Sequence, residues 1–350
     1  MHSEVQETLQ RSVERVLVDH CGTALQRQCD AGQWPQALWQ LLETLGLTHA
    51  MAPESAGGAG LDFSSVMPLI GLAAEHGLPL PLAETVLAHW LVGSAALEPI
   101  DGPVALVVAQ GKSDWQLVRN GTTCSVTGTV ARVPWGRHAH HAVMIVPDLD
   151  GEQLLVVGMD HTRIEQGANL AGEPRDTLEF VKAPVRQFAT APITADALLL
   201  VCAAVRAVQI AGACSRAVSL TADYANVRVQ FGRPIGKLQI IQQYLAFMAG
   251  QSAAAAGAAS LGVAGVGREI NEFSIACAKA RAGEAGGQVA ALAHQVFGAI
   301  GFTREHPLHL LTRRLWSWRE EFGTESHWCE RLGRIACAGG GRALWPLLAE

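Results

Sequence analysis

Apolar positions recur along this chain in three successive textures, and each predicts a different kind of element. Up to about Leu97 they fall at helical spacing, as in Trp39, Leu42 and Leu45, and the runs close on Gly or Pro, here Gly46. That is the mark of short amphipathic helices with glycine stops. From Pro103 to about Ile193 the runs become short and β-branched: Val104 to Val108, Thr122 to Thr129, Ala142 to Val146, Leu154 to Val157 and Leu178 to Val181, separated by Gly and Asp. A small β-domain follows from that pattern. From Asp196 onward long helical patterns return, broken at Gly232 to Gly236, Gly262 to Gly267 and Gly298 to Gly301. The expected fold is an α+β multidomain chain, with an N-terminal helical domain over 1–100, a middle β-domain over 101–195 and a C-terminal helical bundle domain over 196–350.

Two stretches of the last region need a reading of their own. Ala197 to Ala213 is apolar apart from Arg206, Gln209 and small residues, and a buried bundle helix explains it better than a membrane span. The tract Ser252 to Ser260 is almost all Ala; Ala is the best helix former and lets helices pack closely, so an interior bundle helix is expected rather than low complexity.

Composition narrows the function classes. Of 350 residues, 49% are hydrophobic and only 17% charged, which leaves little charge to cover a large monomer and implies extensive subunit interfaces. The net charge of −6 argues against nucleic acid and against an anionic membrane surface. Eight Cys are scattered without a C-x-x-C pair, as expected of reduced thiols in a cytoplasm rather than of zinc or a disulfide frame. The polar, acidic start Met1-His2-Ser3-Glu4 is unlike a signal peptide.

The most informative motif is Arg228-Val229-Gln230-Phe231-Gly232-Arg233-Pro234, followed by Gln239 and a long apolar run. An Arg at a helix end offers a planar cation with five donors, suited to clamping a phosphate or pyrophosphate. Gly232 and Pro234 stop the helix and turn the chain. Alone, the motif is better served by a surface ion pair at Arg228 and a core plug at Phe231. A second motif, Gln295-Val296-Phe297-Gly298-Ala299-Ile300-Gly301-Phe302-Thr303-Arg304-Glu305-His306-Pro307, follows downstream. A third, Leu42-Glu43-Thr44-Leu45-Gly46-Leu47 with Pro53-Glu54-Ser55-Ala56-Gly57-Gly58-Ala59-Gly60-Leu61, lies in the N-terminal third.

In order and separation these three motifs resemble the acyl-CoA dehydrogenase family: its R-x-x-F-G helix end with a following Gln, its Q-x-x-G-G-x-G-[FY] turn, and its L-G-L…P-E-x-x-G-G-x-G-L segment. The likeness covers almost the whole chain. It implies a helical, β and four-helix-bundle order, FAD as cofactor, and α,β-desaturation of a CoA thioester, in which a Glu removes the α-proton while FAD accepts the β-hydride. It also implies cofactor contacts for Arg228, Gln230, Phe231, Gln239, Gln295, Gly298, Ala299 and Thr324. Ala299 stands where the family prefers Gly, which narrows the backbone approach.

The chain departs from the family at the flavin ring and at the base. In place of the T-E-x-x-x-G-S-D loop it has Val107 to Asp114 with Ser113-Asp114 the only echo, and in place of W-I-[TS] it reads Ala131-Arg132-Val133-Pro134-Trp135-Gly136. The Y-E-G-T loop that carries the base is here Glu321-Phe322-Gly323-Thr324, which puts Phe322 at the base position. The alternative base position, counted back from Arg228, is Cys202 followed by Ala203. Glu321 is the one catalytic candidate left, displaced by one residue, several Å from where a ~3 Å proton transfer needs it.

In the family, R-x-x-F-G and Q-x-x-G-G act on the FAD of a neighbouring subunit. Their retention here, beside loss of the ring pocket and base, leads to the expectation of a degenerate subunit in a heteromeric acyl-CoA dehydrogenase. Its partner would be a paralogous subunit, in an α2β2 assembly, with an acyl-CoA substrate and an electron-transfer flavoprotein or other acceptor. Shortened subunits of this kind resemble those acting on steroid side-chain CoA esters. Two alternatives remain open: a self-contained flavoenzyme with Glu321 as base, and a flavin-free scaffold subunit. Arg137-His138-Ala139-His140-His141 is read as a solvated loop rather than a metal site. Arg313-Arg314 with Trp316-Ser317-Trp318 reads as helical packing with snorkelling Arg.

Overall fold

The computed structural model describes residues 2–108, 115–120, 123–267 and 269–349. They form two compact units: Met1–Val66 with Leu78–Leu199, and Met67–Gly77 with Leu200–Glu350.

The first unit opens with α1 (His2–His20), α2 (Thr23–Asp30) and α3 (Gln36–Thr44). The spacing of Trp39 and Leu42 puts both in the core, and Gly46, at φ 70°, ends α3 in the left-handed region that suits glycine. Next come α4 (Phe63–Glu75), which runs into the second unit, and α5 (Leu82–Ser94), buried over most of its length.

The sheet that follows has seven strands: β1 (Val104–Val107), β2 (Gln116–Asn120), β3 (Thr123–Pro134), β4 (His141–Asp148), β5 (Gly151–Gly158), β6 (Thr162–Glu165) and β7 (Arg175–Thr190). The order is β1-β4-β5-β7-β3-β2, with β6 also on β7. Among the described residues only β1 and β4 pair in parallel. β7 is long enough to serve both halves: residues 185–190 pair with β5 and residues 175–184 with β3. Alternation fills one core with Val126, Val130, Met144, Leu155, Leu178 and Phe180. Two bulges interrupt the β3–β7 register, and there Arg132 and Lys182 take left-handed backbone, at φ 62° and 48°.

The second unit is helical: α6 (Ala195–Val227), a two-residue hairpin of β8 (Val229–Gln230) and β9 (Arg233–Pro234), α7 (Gln239–Ala264), α8 (Glu272–Phe297), α9 (Leu308–Trp318) and α10 (Glu325–Ala349). α6 is the one helix among the described residues long and apolar enough to cross a membrane by composition, and 72% of its most apolar window is buried by packing. It crosses α4 very closely, since a Cβ on Gly212 would lie 2.2 Å from the Gly71 carbonyl oxygen. α7 carries no charged residue along its 26 residues. Ala255 and Ala259 are buried, but Ala253, Ala256, Gly257 and Ser260 are exposed, so the Ala tract is helical as expected yet not interior to this chain. Gly250 and Gly257 face open space, where an added Cβ would meet nothing within 4 Å.

Candidate functional site

The R-x-x-F-G segment sits where α6 ends. Ala225, Ile235 and Val296 form a small core with Tyr224, Leu238 and Ile241 packed on it, joining the ends of α6 and α8 to the start of α7. The Tyr224 ring stacks on Phe297 at 4.2 Å. One turn beyond Tyr224 the helix stops, and the Ile235 amide donates to the Arg228 carbonyl at 2.8 Å, closing the β8–β9 hairpin. Arg228, Gln230 and Gln239 are exposed. Phe231, at the hairpin tip, is 89% exposed and held at φ 53°, followed by Gly232 at φ 76°. A bulky aromatic in the left-handed region is strained, of order 1–3 kcal/mol.

The charge at this end is positive and unbalanced among the described residues. Among the described residues the guanidinium of Arg228 has no ion pair, and neither Arg233 nor Lys237 has one. From Asp223 to Glu269 the sequence has no acidic residue between these two. No side chain caps the N-terminus of α7, so its first amides and the positive end of its dipole are left to a ligand or water. These residues fit the pyrophosphate of FAD.

The second motif lies at the other end of the same small core, where α8 stops. Gln295 and Ala299 are exposed. Gly298 ends α8 at φ 64° and ψ −145°, a conformation essentially confined to glycine, with nothing within 4 Å of an added Cβ. A short 3-10 turn, Gly298–Phe302, follows. The fold thus brings Arg228, Gln230, Phe231, Gln239, Gln295, Gly298 and Ala299 to one end of the bundle.

Thr324 and Glu321 are elsewhere. Lys279, about 16 residues back along α8 and therefore ~24 Å away at 1.5 Å per residue, reaches the turn that carries them. Its ammonium is fully buried and donates to the carbonyls of Arg319 and Gly323, both at 2.8 Å. Burial lowers its pKa to about 7, against the pull of Glu325. The Thr324 hydroxyl accepts from the His327 amide at 3.2 Å, capping the start of α10.

Glu321 is buried, with a carboxylate oxygen 2.9 Å from Arg206. Arg206, also buried, lies over the rings of Trp318 and Phe322 at 5.5 and 5.1 Å and donates to Gln209 at 2.6 Å. Cys202, one turn before Arg206, is buried as well. Trp328 donates to the Phe322 carbonyl at 3.0 Å, and Arg319 grips Glu325 through two bonds of 2.8 and 2.9 Å. So Phe322 and Cys202, the two places where a base is expected, carry no carboxylate, and the nearby Glu321 is engaged by Arg206. The sequence reading missed Arg206 and Lys279. A lone Arg in an otherwise apolar run was the available signal, because a buried charge must find a partner.

In the first unit, the polar run after Trp135 is not a solvated loop throughout. Arg137 grips the fully buried Asp176 and the Gly167 carbonyl, and His138 stacks on Trp34 at 4.9 Å. No group of three or more His, Cys, Asp or Glu among the described residues has metal-binding geometry. Most of the ring-loop segment, 109–114, lies outside the described residues, as do residues 121 and 122 at the start of the expected Thr122 run. At the second ring position Trp135 is buried at φ 59° and Arg132 stands on the bulge of β3.

Family comparisons agree with the helix, sheet and helix order. Residues 3–96 match the profile of the acyl-CoA dehydrogenase N-terminal domain and residues 194–336 that of the C-terminal domain. The chain belongs to the acyl-CoA dehydrogenase family. Among its relatives is acyl-CoA dehydrogenase IpdE2 of Mycobacterium tuberculosis, 28% identical, aligned over 89% of this chain and 91% of that one. Acyl-CoA dehydrogenase FadE34 of the same organism is 30% identical over 88% of this chain and 43% of its own length. In fold the chain is similar to the Tcur3481-Tcur3483 steroid ACAD G363A variant, with a TM-score of 0.88 at 24% identity over 97% of this chain and 99% of that one. The ChsE4-ChsE5 complex of Mycobacterium tuberculosis gives 0.85 at 23% identity over 95% and 96%.

Proposed function

We propose that this chain is the subunit of a heteromeric, FAD-dependent acyl-CoA dehydrogenase that completes a cofactor site from outside, while a paralogous chain supplies the ring pocket and the base. The observation that carries it is the pairing of opposites: an open, uncompensated cationic end at Arg228, and a buried Arg206–Glu321 pair beside Phe322, the residue at the base position. FAD, when bound, would accept the hydride that leaves the β-carbon of the thioester. This chain's residues bind and orient: Arg228, Gln230, Gln239 and the α7 N-terminus hold the pyrophosphate, Phe231 seats the hairpin against the partner, and Gln295, Gly298 and Ala299 bound the adenosine. Glu321 holds Arg206 rather than a substrate proton. The similar Tcur3481-Tcur3483 steroid ACAD and ChsE4-ChsE5 complex support a pairing with a second chain, which we read as α2β2, and the steroid ACAD supports a steroid side-chain CoA ester as substrate. An electron-transfer flavoprotein would then reoxidise the cofactor.

The test is the FAD-to-protein ratio after gel filtration, for this chain alone and co-expressed with a neighbouring gene of the same family. A colourless lone chain and one FAD per unlike pair is the expected result. One FAD per chain in the lone protein would make it a self-contained flavoenzyme, and Arg228→Ala leaving the pair's FAD content unchanged would make it a flavin-free scaffold.

A further inference from the structure

The packing of α10 on α8 sets up chemistry that lies outside the cofactor reading and does not depend on it. The two helices run antiparallel and close. Gly283 lies so near the Glu325 carboxylate that an added Cβ would collide with it, and farther along Arg331 is ion-paired with Glu272. Between these two rungs, one on each helix, stand Cys277 and Cys329. The turn of α10 that carries Cys329 is fixed by its neighbour Trp328, whose ring is fully buried and lies under Arg331 at 5.3 Å. Cys277 is half-buried and Cys329 exposed. Burial first, and then the charge of Cys329, raises the Cys277 thiol above its ordinary pKa, and a like charge acts in this way at close range. Cys337, the other exposed thiol of α10, lies past Arg331 and so beyond the start of α8 at Glu272.

An exposed thiol with a second thiol opposite it is the arrangement of a reversible oxidation site, because exposure sets which sulfur meets the oxidant and the neighbour resolves the product. We infer that Cys277 and Cys329 form such a site, with Cys329 taking the oxidant and Cys277 closing a disulfide between α8 and α10. The oxidant is hydrogen peroxide: one of its oxygens goes to the Cys329 sulfur, leaving a sulfenic acid and one water. The Cys277 sulfur then attacks that sulfur, the hydroxyl leaves with the Cys277 proton as a second water, and the S–S bond forms. Two thiols have lost two electrons to one peroxide, and a small dithiol returns them by exchange. The bridge would close residues 278–328 into a loop that holds α9 and the Phe322 turn, restricting the unfolded chain.

The experiment treats the full chain, purified under reductant and then freed of it, with a slight excess of hydrogen peroxide. The chain is next unfolded, its remaining thiols are alkylated, and its peptides are mapped by mass. The expected result is a linked pair of peptides carrying Cys277 and Cys329, released by dithiothreitol, with Cys337 outside any bridge. A bridge needs the two Cα atoms within about 7 Å, so it reads the register of α8 on α10 directly. In Cys277→Ser, dimedone should trap a sulfenic acid at Cys329 that the parent does not accumulate. The oxidised parent should unfold at higher urea than the reduced parent, a shift absent from both Cys277→Ser and Cys329→Ser. A treated parent in which both thiols are still alkylated would overturn the site, and so would a sulfenic acid at Cys329 beside an unmodified Cys277. A bridge joining two chains through Cys329 would overturn it as well.

Discussion

At the scale of single residues, Glu321 decides between an enzyme with its own base and a subunit without one. Its carboxylate is fixed on Arg206 at 2.9 Å among buried aromatic rings. Glu321→Gln in the assembled complex should therefore leave turnover within about twofold, whereas loss of a true general base costs roughly 10²–10⁴; steady-state kinetics read the difference. Arg206→Met strands the carboxylate and should destabilise the fold by about 3–5 kcal/mol in urea denaturation. Lys279 makes a second, pH-dependent case. A neutral amine still has the two N–H groups its two carbonyls need. Because burial lowers the folded pKa to about 7 from 10.5, the unfolded chain binds more protons between those values, and stability rises with pH across that window. Lys279→Met should lose that rise in denaturation curves taken from pH 7 to 10, at the cost of two unsatisfied carbonyls, about 1–3 kcal/mol each.

At the scale of elements, the β8–β9 hairpin holds a strained Phe231 in the open. Phe231→Gly should relieve the backbone and stabilise the isolated chain by about 1 kcal/mol, while weakening FAD retention in the complex. A thermal melt of the lone chain and the FAD ratio of the pair read the two effects separately. This hairpin also marks where reading the sequence ran out. The long helices were legible because their apolar spacing is sustained over many turns, and β1, β4, β5 and β7 because β-branched runs announce a buried strand. β2 and β6 were missed: Gln116–Asn120 and Thr162–Glu165 are short and polar, on strands with little to bury. Nothing local says that a Phe before a Gly will take positive φ. The motifs placed Arg228, Gln230 and Gln295 on loops and helix ends, yet the partners that matter lie far off in sequence: Asp176 is 39 residues from Arg137, and Glu321 is 115 from Arg206. Such pairs leave no periodic trace. The exposed side of the Ala tract was equally illegible, since Ala serves a buried face and an open one alike.

At the scale of the whole molecule, acid is the condition this chain should tolerate least, and the first unit holds the reason. His89 is buried on α5, stacked at 3.8 Å on His49, with Nδ1 at 2.9 Å from the Thr48 carbonyl. Burial first, then His49, lowers its pKa from 6.5 to about 4. Below pH 6.5 the unfolded chain takes up a proton that the folded one refuses, so stability is fully present above 6.5 and is lost as pH falls toward 4. At ~1.4 kcal/mol per pH unit the loss is about 3 kcal/mol. His89→Phe should flatten that part of the stability–pH curve, and a parent-like slope in the variant would assign the acid loss to other groups.

The uncharged α7 has a consequence for supply. Its exposed side, with Phe247 and Leu261 about half bare and two glycines facing nothing, offers water no charge over about seven turns of helix. Such a surface sets a low ceiling on how much of the free chain can be held in solution. A cell that makes this chain ahead of anything that covers that side would lose the surplus to precipitation or proteolysis. Its abundance should then follow the rate at which it is covered more closely than the rate at which it is translated.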